Sequence, residues 1–184
     1  MMEPHPEKSP VSYSINVRNL PAKGITATFT ADPEQRRQLA EAHGLLSVEG
    51  FSTELLVRPW KKDGIQVSGR VKAEITQACV VTLEPLAAQI DEDVSAILVP
   101  ENSRLARIEG ENAEIILQAE GDDLPEVFSG DSVDVGALAE EFFELAIDPY
   151  PRKEGSELDR PAEGGEETGG GPLYEALRKL KGNG

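Results

Sequence analysis

Three side chains of this 184-residue chain have the chemistry of a nucleophile or a soft metal ligand: Cys79, His5 and His43. Cys79 has Val80 and Val81 beside it, and neither histidine is near it in sequence, so no Cys–His nucleophile is prepared by spacing. A buried, inert thiol is expected, because free cysteine is among the most buried residue types. A single cysteine also excludes an intrachain disulfide. Neither histidine has a cysteine or second histidine at ligand spacing, and the many acids show no EF-hand order. Gly169, Gly170 and Gly171 sit in a polar tail, without the strand and helix that a phosphate loop requires. These patterns predict no cofactor, no metal and no enzymatic activity.

The residues suited to recognition are more informative. Asp148-Pro149-Tyr150-Pro151-Arg152 holds an aromatic ring between two prolines, and Arg152 with Lys153 supplies the first positive charge after a long acidic stretch. A rigid aromatic beside a guanidinium can stack on a base or grip a partner; equally, the segment can stop a helix and fold Tyr150 back onto the core. The C-terminal run from Leu173 to Lys181 places Leu173, Leu177 and Leu180 in line, with Arg178, Lys179 and Lys181 alongside. It reads as a basic docking patch or as a tail helix packed on its own domain, and it is marginal as an isolated helix.

Charge is distributed unevenly. The net charge is −16, and from Glu109 to Asp148 there are thirteen acidic residues and no Lys or Arg. Such a surface repels phosphate backbones and attracts basic partners, unless it is only a solvated face. No apolar run reaches the roughly 18 residues of a membrane helix, and the N-terminus lacks the features of a secretory signal, so a cytoplasmic protein is expected.

The elements that must position these groups can be read from periodicity. Residues 1–10 read as a disordered leader, residues 11–153 as one domain, 154–171 as a Gly/Glu-rich linker and 172–184 as the short basic tail. Strands are expected over 11–17 and 25–30, then a helix capped by Asp32, with Pro33 in its first turn and Gln35 completing a capping box, closed by His43 and Gly44. Leu45 to Trp60 reads as one or two strands bent near Gly50, and Asp63-Gly64 as a hairpin turn. Ile65, Val67, Gly69, Val71, Ala73 and Ile75 alternate with polar residues, which gives one long strand with a wet face. The period resumes from Leu86 to Leu98, leaving Thr82-Leu83-Glu84-Pro85 at the turn between. Residues 113–118 suit a short strand, and the loop before them starts at Pro100. A last helix capped by Asp131 or Ser132 should bury Val135, Leu138, Phe142 and Leu145, and stop at Pro149. The fold class is α+β: a mostly antiparallel β-sheet, open to strong curling, with two or three helices and disordered termini.

Cys79-Val-Val-Thr82-Leu83-Glu84-Pro85, the 133–152 segment and the Leu173–Lys181 ending, in this order and spacing, resemble the YceD family of large ribosomal RNA subunit accumulation proteins. Many members carry a Cys-x-x-Cys pair at the strand turn; here Thr82 stands at the second position, which excludes a two-cysteine site. The resemblance implies a ribosome biogenesis factor in which Cys79, Thr82, Leu83, Glu84, Pro85, Asp148, Pro149 and Pro151 are structural. With a pI near 4.5, broad phosphate neutralisation is not expected. The expected partner is a basic ribosomal protein or large-subunit precursor met by the acidic surface, with limited RNA contact from Tyr150, Arg152, Lys153, Leu177, Arg178, Lys179 and Lys181. The alternatives are a direct RNA binder using that corner and tail, and a metal-dependent RNA-processing enzyme holding a divalent ion on acids such as Asp122 and Asp123.

Overall fold

A computed structural model describes residues 8–103, 125–153 and 155. The short strand over 113–118, the acids Asp122 and Asp123, the linker and the basic tail with Leu177, Arg178, Lys179 and Lys181 lie outside the described residues.

The first strand, β1, covers only Ser14–Asn16, shorter than the alternation from Val11 would allow. β2 (Ile25–Thr30) leads into α1 (Pro33–Ala42), where the Asp32 carboxylate accepts the amides of Glu34 and Gln35 and the Gln35 side chain accepts the Asp32 amide. This reciprocal cap satisfies donors that a helix start otherwise leaves open. His43 ends the helix and Gly44 follows with φ of 64°, a left-handed turn that favours glycine.

Three long strands follow: β3 (Ser47–Trp60), β4 (Gly64–Ala78) and β5 (Pro85–Pro100). β3 is one strand with a bulge between Val48 and Gly50, which supplies the expected bend. The turn between β3 and β4 is Lys61-Lys62-Asp63, and Gly64 is already paired with Trp60. The positive φ of 52° falls on Lys61, not on the glycine. β6 (Glu126–Phe128) adds in parallel to the end of β5, so the sheet order is β2-β3-β4-β5-β6. β7 (Ser132–Asp134) pairs with β1 in a separate two-stranded ribbon.

The last helix, α2 (Val135–Ala146), starts two or three residues later than its sequence signals indicate. Ser132 belongs to β7, and Asp134 is the cap, accepting the amides of Gly136 and Ala137 as well as Tyr13. The competing choice was settled by pairing with β1, which claims residues 132–134 before the helix can begin. The buried stripe is also rotated. Val135, Gly136, Leu138, Ala139 and Phe143 face inward, Phe142 is half-buried, and Leu145 is 81% exposed. Close approach explains the rotation: a Cβ on Gly136 would run into the backbone of Val11 and Tyr13, so the smallest side of the helix turns toward the N-terminal strand.

The core lies between the inner face of the sheet and the two helices. Phe51 of β3 meets Phe143 of α2 edge-on at 5.5 Å, and His43 packs edge-on against the same Phe143 ring at 5.4 Å. His43 Nε2 also lies 2.9 Å from a Glu140 carboxylate oxygen, which ties the end of α1 to α2. The outer face of the sheet is polar: Arg70 pairs with Asp91 and Asp93, and Lys72 with Asp91.

These placements reverse the sequence expectation for two residues, since periodicity put Leu145 on the buried stripe and left Phe143 off it. Phe143→Ala should cost about 3–5 kcal/mol, the range for truncating a buried aromatic, whereas Leu145→Ala should stay within about 0.5 kcal/mol of the parent. Urea denaturation of the two variants measures the contrast.

Candidate docking corner

The end of the sheet where β4 turns into β5 is built from two pieces of chain far apart in sequence. The first is the Cys79–Glu84 connection, closed where Ala78 pairs with Pro85. The Cys79 amide donates to the Glu84 carbonyl at 2.8 Å, and the Leu83 amide donates to the Cys79 carbonyl at 2.9 Å. The Thr82 hydroxyl donates to the Glu84 carboxylate at 3.2 Å. Tight closure places Leu83 at φ of 62°, a region that non-glycine residues other than Asn and Asp rarely occupy. Its side chain is 76% exposed.

The second piece is the chain leaving α2. Asp148 accepts the Tyr150 amide at 2.9 Å, forming a small turn ahead of the second proline. Pro149 and Pro151 have no N–H, so this segment presents carbonyls, and donors reach them from the end of β4 and from the first piece. Gln77 donates through its side chain to the Asp148 carbonyl at 2.8 Å, and the Val80 amide donates to the Pro151 carbonyl at 2.9 Å. The Lys153 ammonium closes the corner on Glu84 at 2.8 Å, raising its own pKa and holding the Glu84 carboxyl below the usual range.

Cys79 lies at the junction and is fully buried. Its sulfur accepts long bonds from the amides of Thr82 and Lys153, both at 3.5 Å. The Thr82 side chain, followed by these two amides, draws the thiol down from 9.0 to about 6. Burial agrees with the sequence expectation; the polar setting of the thiol does not follow from its apolar neighbours in sequence.

The structure thus brings Cys79, Thr82, Leu83, Glu84, Pro85, Asp148, Pro149, Pro151 and Lys153 into one assembly. It places Tyr150 outward at 71% exposure, so the ring does not fold back onto the core, and leaves Arg152 exposed beside it. Sequence reasoning missed Gln77, a buried amide inside an otherwise ordinary alternation, and the outward Leu83 and Leu145.

With this geometry in place, family comparison has a structural counterpart. The family described as large ribosomal RNA subunit accumulation protein YceD matches residues 67–181, a span that includes both pieces of the corner. The chain belongs to that family, whose name ties it to ribosome biogenesis and large-subunit RNA. No curated protein and no solved structure matches the chain. Among the described residues, no helix is long and apolar enough to cross a membrane.

The thiol gives a pH-dependent prediction. A group whose folded pKa is lowered contributes stability that is present above its unfolded pKa and lost as pH falls through the folded value. Parent stability should rise between pH 6 and 9 by a component that Cys79→Ala lacks. Denaturant midpoints of both proteins across that window provide the measurement; parallel profiles would reject the assigned thiol environment.

Proposed function

We propose that the chain supports large-subunit ribosomal RNA accumulation as an assembly factor without chemistry of its own, docking on a basic ribosomal protein of the precursor particle. The observation that carries this reading is the outer face of α2. Burial, then the charges of Glu126, Glu144 and Glu140, hold the Glu141 carboxyl above its ordinary range. Crowded carboxylates of this kind gain from a cationic partner, which relieves their mutual repulsion. Leu145 stands exposed among them, and Tyr150 and Leu83 project from the corner into which α2 leads. Apolar anchors within a charged surround are the usual make-up of an interface that binds through a few residues.

RNA contact through Arg152, Lys153 and the tail has less support. The Lys153 ammonium already pairs with Glu84, so the corner offers one further guanidinium, that of Arg152, for phosphates.

Sedimentation of the tagged chain from gently lysed cells tests the docking. The parent should migrate with large-subunit precursors at low salt and dissociate as salt screens the contact. Glu141→Lys combined with Glu144→Lys should reduce co-migration at least about tenfold, a loss of roughly 1.4 kcal/mol. Co-migration equal to the parent's would reject the acidic docking face. Leu83→Gly is the companion variant: glycine accepts the left-handed backbone, so the fold should keep its stability while co-migration weakens.

A further inference from the structure

We infer that β2, the outer strand of the sheet, is a self-association surface: two copies of this chain join antiparallel along it, around a two-fold axis at Thr28. This surface is independent of the acidic docking face.

β2 ends the sheet order β2-β3-β4-β5-β6, so only one of its edges is paired. The Ala31 amide donates to the Phe51 carbonyl at 2.9 Å, and the register carries that pattern back along β2 to Phe29, Ala27 and Ile25. Backbone groups alternate in direction along an antiparallel pair, so those of Thr26, Thr28 and Thr30 point away from β3. Among the described residues, nothing bonds these three amides. Folded chains usually blunt such an edge with lysine, proline, a bulge or a covering element. Ile25-Thr-Ala-Thr-Phe-Thr30 has no charge, proline or glycine, its register with β3 is unbroken, and all three threonines are exposed. The opposite edge, β6, is only three residues long and carries Glu126.

The pattern of the edge identifies the incoming strand as a second copy. Pairing Thr28 with Thr28 of that copy sets Thr26 opposite Thr30 and engages all three outward backbone groups, where any other two-fold register leaves some of them open. On the wet face the pairs are threonine on threonine, a favourable cross-strand combination. On the core face every large side chain meets a small one, with Ile25 opposite Ala31 and Phe29 opposite Ala27. These are the non-hydrogen-bonded positions, where side chains come closest, so a large residue there needs a small neighbour. Ile25 is 39% exposed, and Tyr13, itself exposed, stacks on Phe29 at 5.2 Å, so apolar surface remains at the edge to be covered.

Charge does not oppose the pairing. Glu54 lies across from Thr28 on β3 and faces Arg70 on β4. Its two copies would stand three strand spacings apart, roughly 14 Å, beyond the screening length of about 8 Å. Lys23 precedes the strand and Asp32 follows it, so the antiparallel arrangement brings unlike charges together at each end. A basic peptide, by contrast, would find no carboxylate on β2.

Sedimentation velocity of the purified full chain across a concentration series reads the association. Strands this short bury less than the about 800 Å² per partner of stable interfaces, so the dimer should be reversible, with the mean mass climbing from 19.9 kDa toward twice that value. Amide exchange at Thr26, Thr28 and Thr30 should slow with concentration while Ala27 and Phe29 stay as they are. Thr28→Lys and Thr28→Glu alter an exposed side chain and should keep the parent's urea midpoint. Each sets like charges on the two-fold axis and should weaken association at least about tenfold. Mixing the two variants should restore it, because unlike charges then face one another. A parent that stays monomeric throughout, a Thr28→Lys variant that dimerises like the parent, or a mixture no better than its components would each overturn the assignment. In the first case, protection of the same three amides by an added peptide of alternating lysine and valine would give the edge to a foreign strand instead.

Discussion

The register of β4 is the constraint on which the rest of the molecule depends. Fourteen consecutive residues, Ile65 to Ala78, pair in unbroken order with Leu98 to Pro85 of β5, and the other edge of β4 pairs with β3. Because side chains alternate across a strand, a slip of one residue would turn Val67, Val71, Ala73 and Ile75 to solvent and bring Arg70, Lys72 and Glu74 into the core. The penalty for burying those charges is far larger than any local turn preference, so the register is fixed by the core and the turns adapt to it. Gly69 marks where this fit is tightest. A Cβ there would meet the Glu54 carbonyl oxygen, so the backbones of β3 and β4 approach closely in the middle of the sheet.

With the strands fixed, the connection between Ala78 and Pro85 must reverse the chain in six residues, which accounts for Leu83 in the left-handed region. A lone turn holding a leucine there would lose energy relative to an extended alternative, by roughly 1–2 kcal/mol. Hydrogen bonds from outside the turn stabilise it: Val80 donates to the Pro151 carbonyl, and Cys79 accepts from Lys153. The proline-rich segment suits this role because it has carbonyls to offer and little backbone freedom to lose. The two halves of the corner therefore depend on one another, and the exposed Leu83 and Tyr150 are held by the same interactions.

Much of the fold was legible because its signals are local. The Asp32–Gln35 cap, the 25–30 strand and the alternation from Ile65 to Ile75 need only nearest neighbours and a period. The order of the corner pieces was legible through resemblance, but their meeting was not, since no periodicity in residues 79–85 or 147–153 encodes a contact between them. The errors on α2 have the same origin. Asp131, Ser132 and Asp134 are all plausible caps, and only the pairing of β7 with β1 selects Asp134. Phe142 and Phe143 are equally apolar, and only the contact of Gly136 with the Val11–Tyr13 backbone rotates Phe143 inward.

The same β4 register decides where charge accumulates. On the wet face of the sheet, Arg70 and Lys72 are matched by Asp91 and Asp93, so the middle contributes little net field. Carboxylates crowd instead on the outer face of α2, where burial, then Glu126, Glu144 and Glu140, hold the Glu141 carboxyl above its ordinary range. Glu126 joins them because β6 pairs with the end of β5 that lies beside Ile65 of β4. The acidic face of the helix is thus completed by a strand of the sheet, and a cation placed there would relieve repulsion that neither element creates alone.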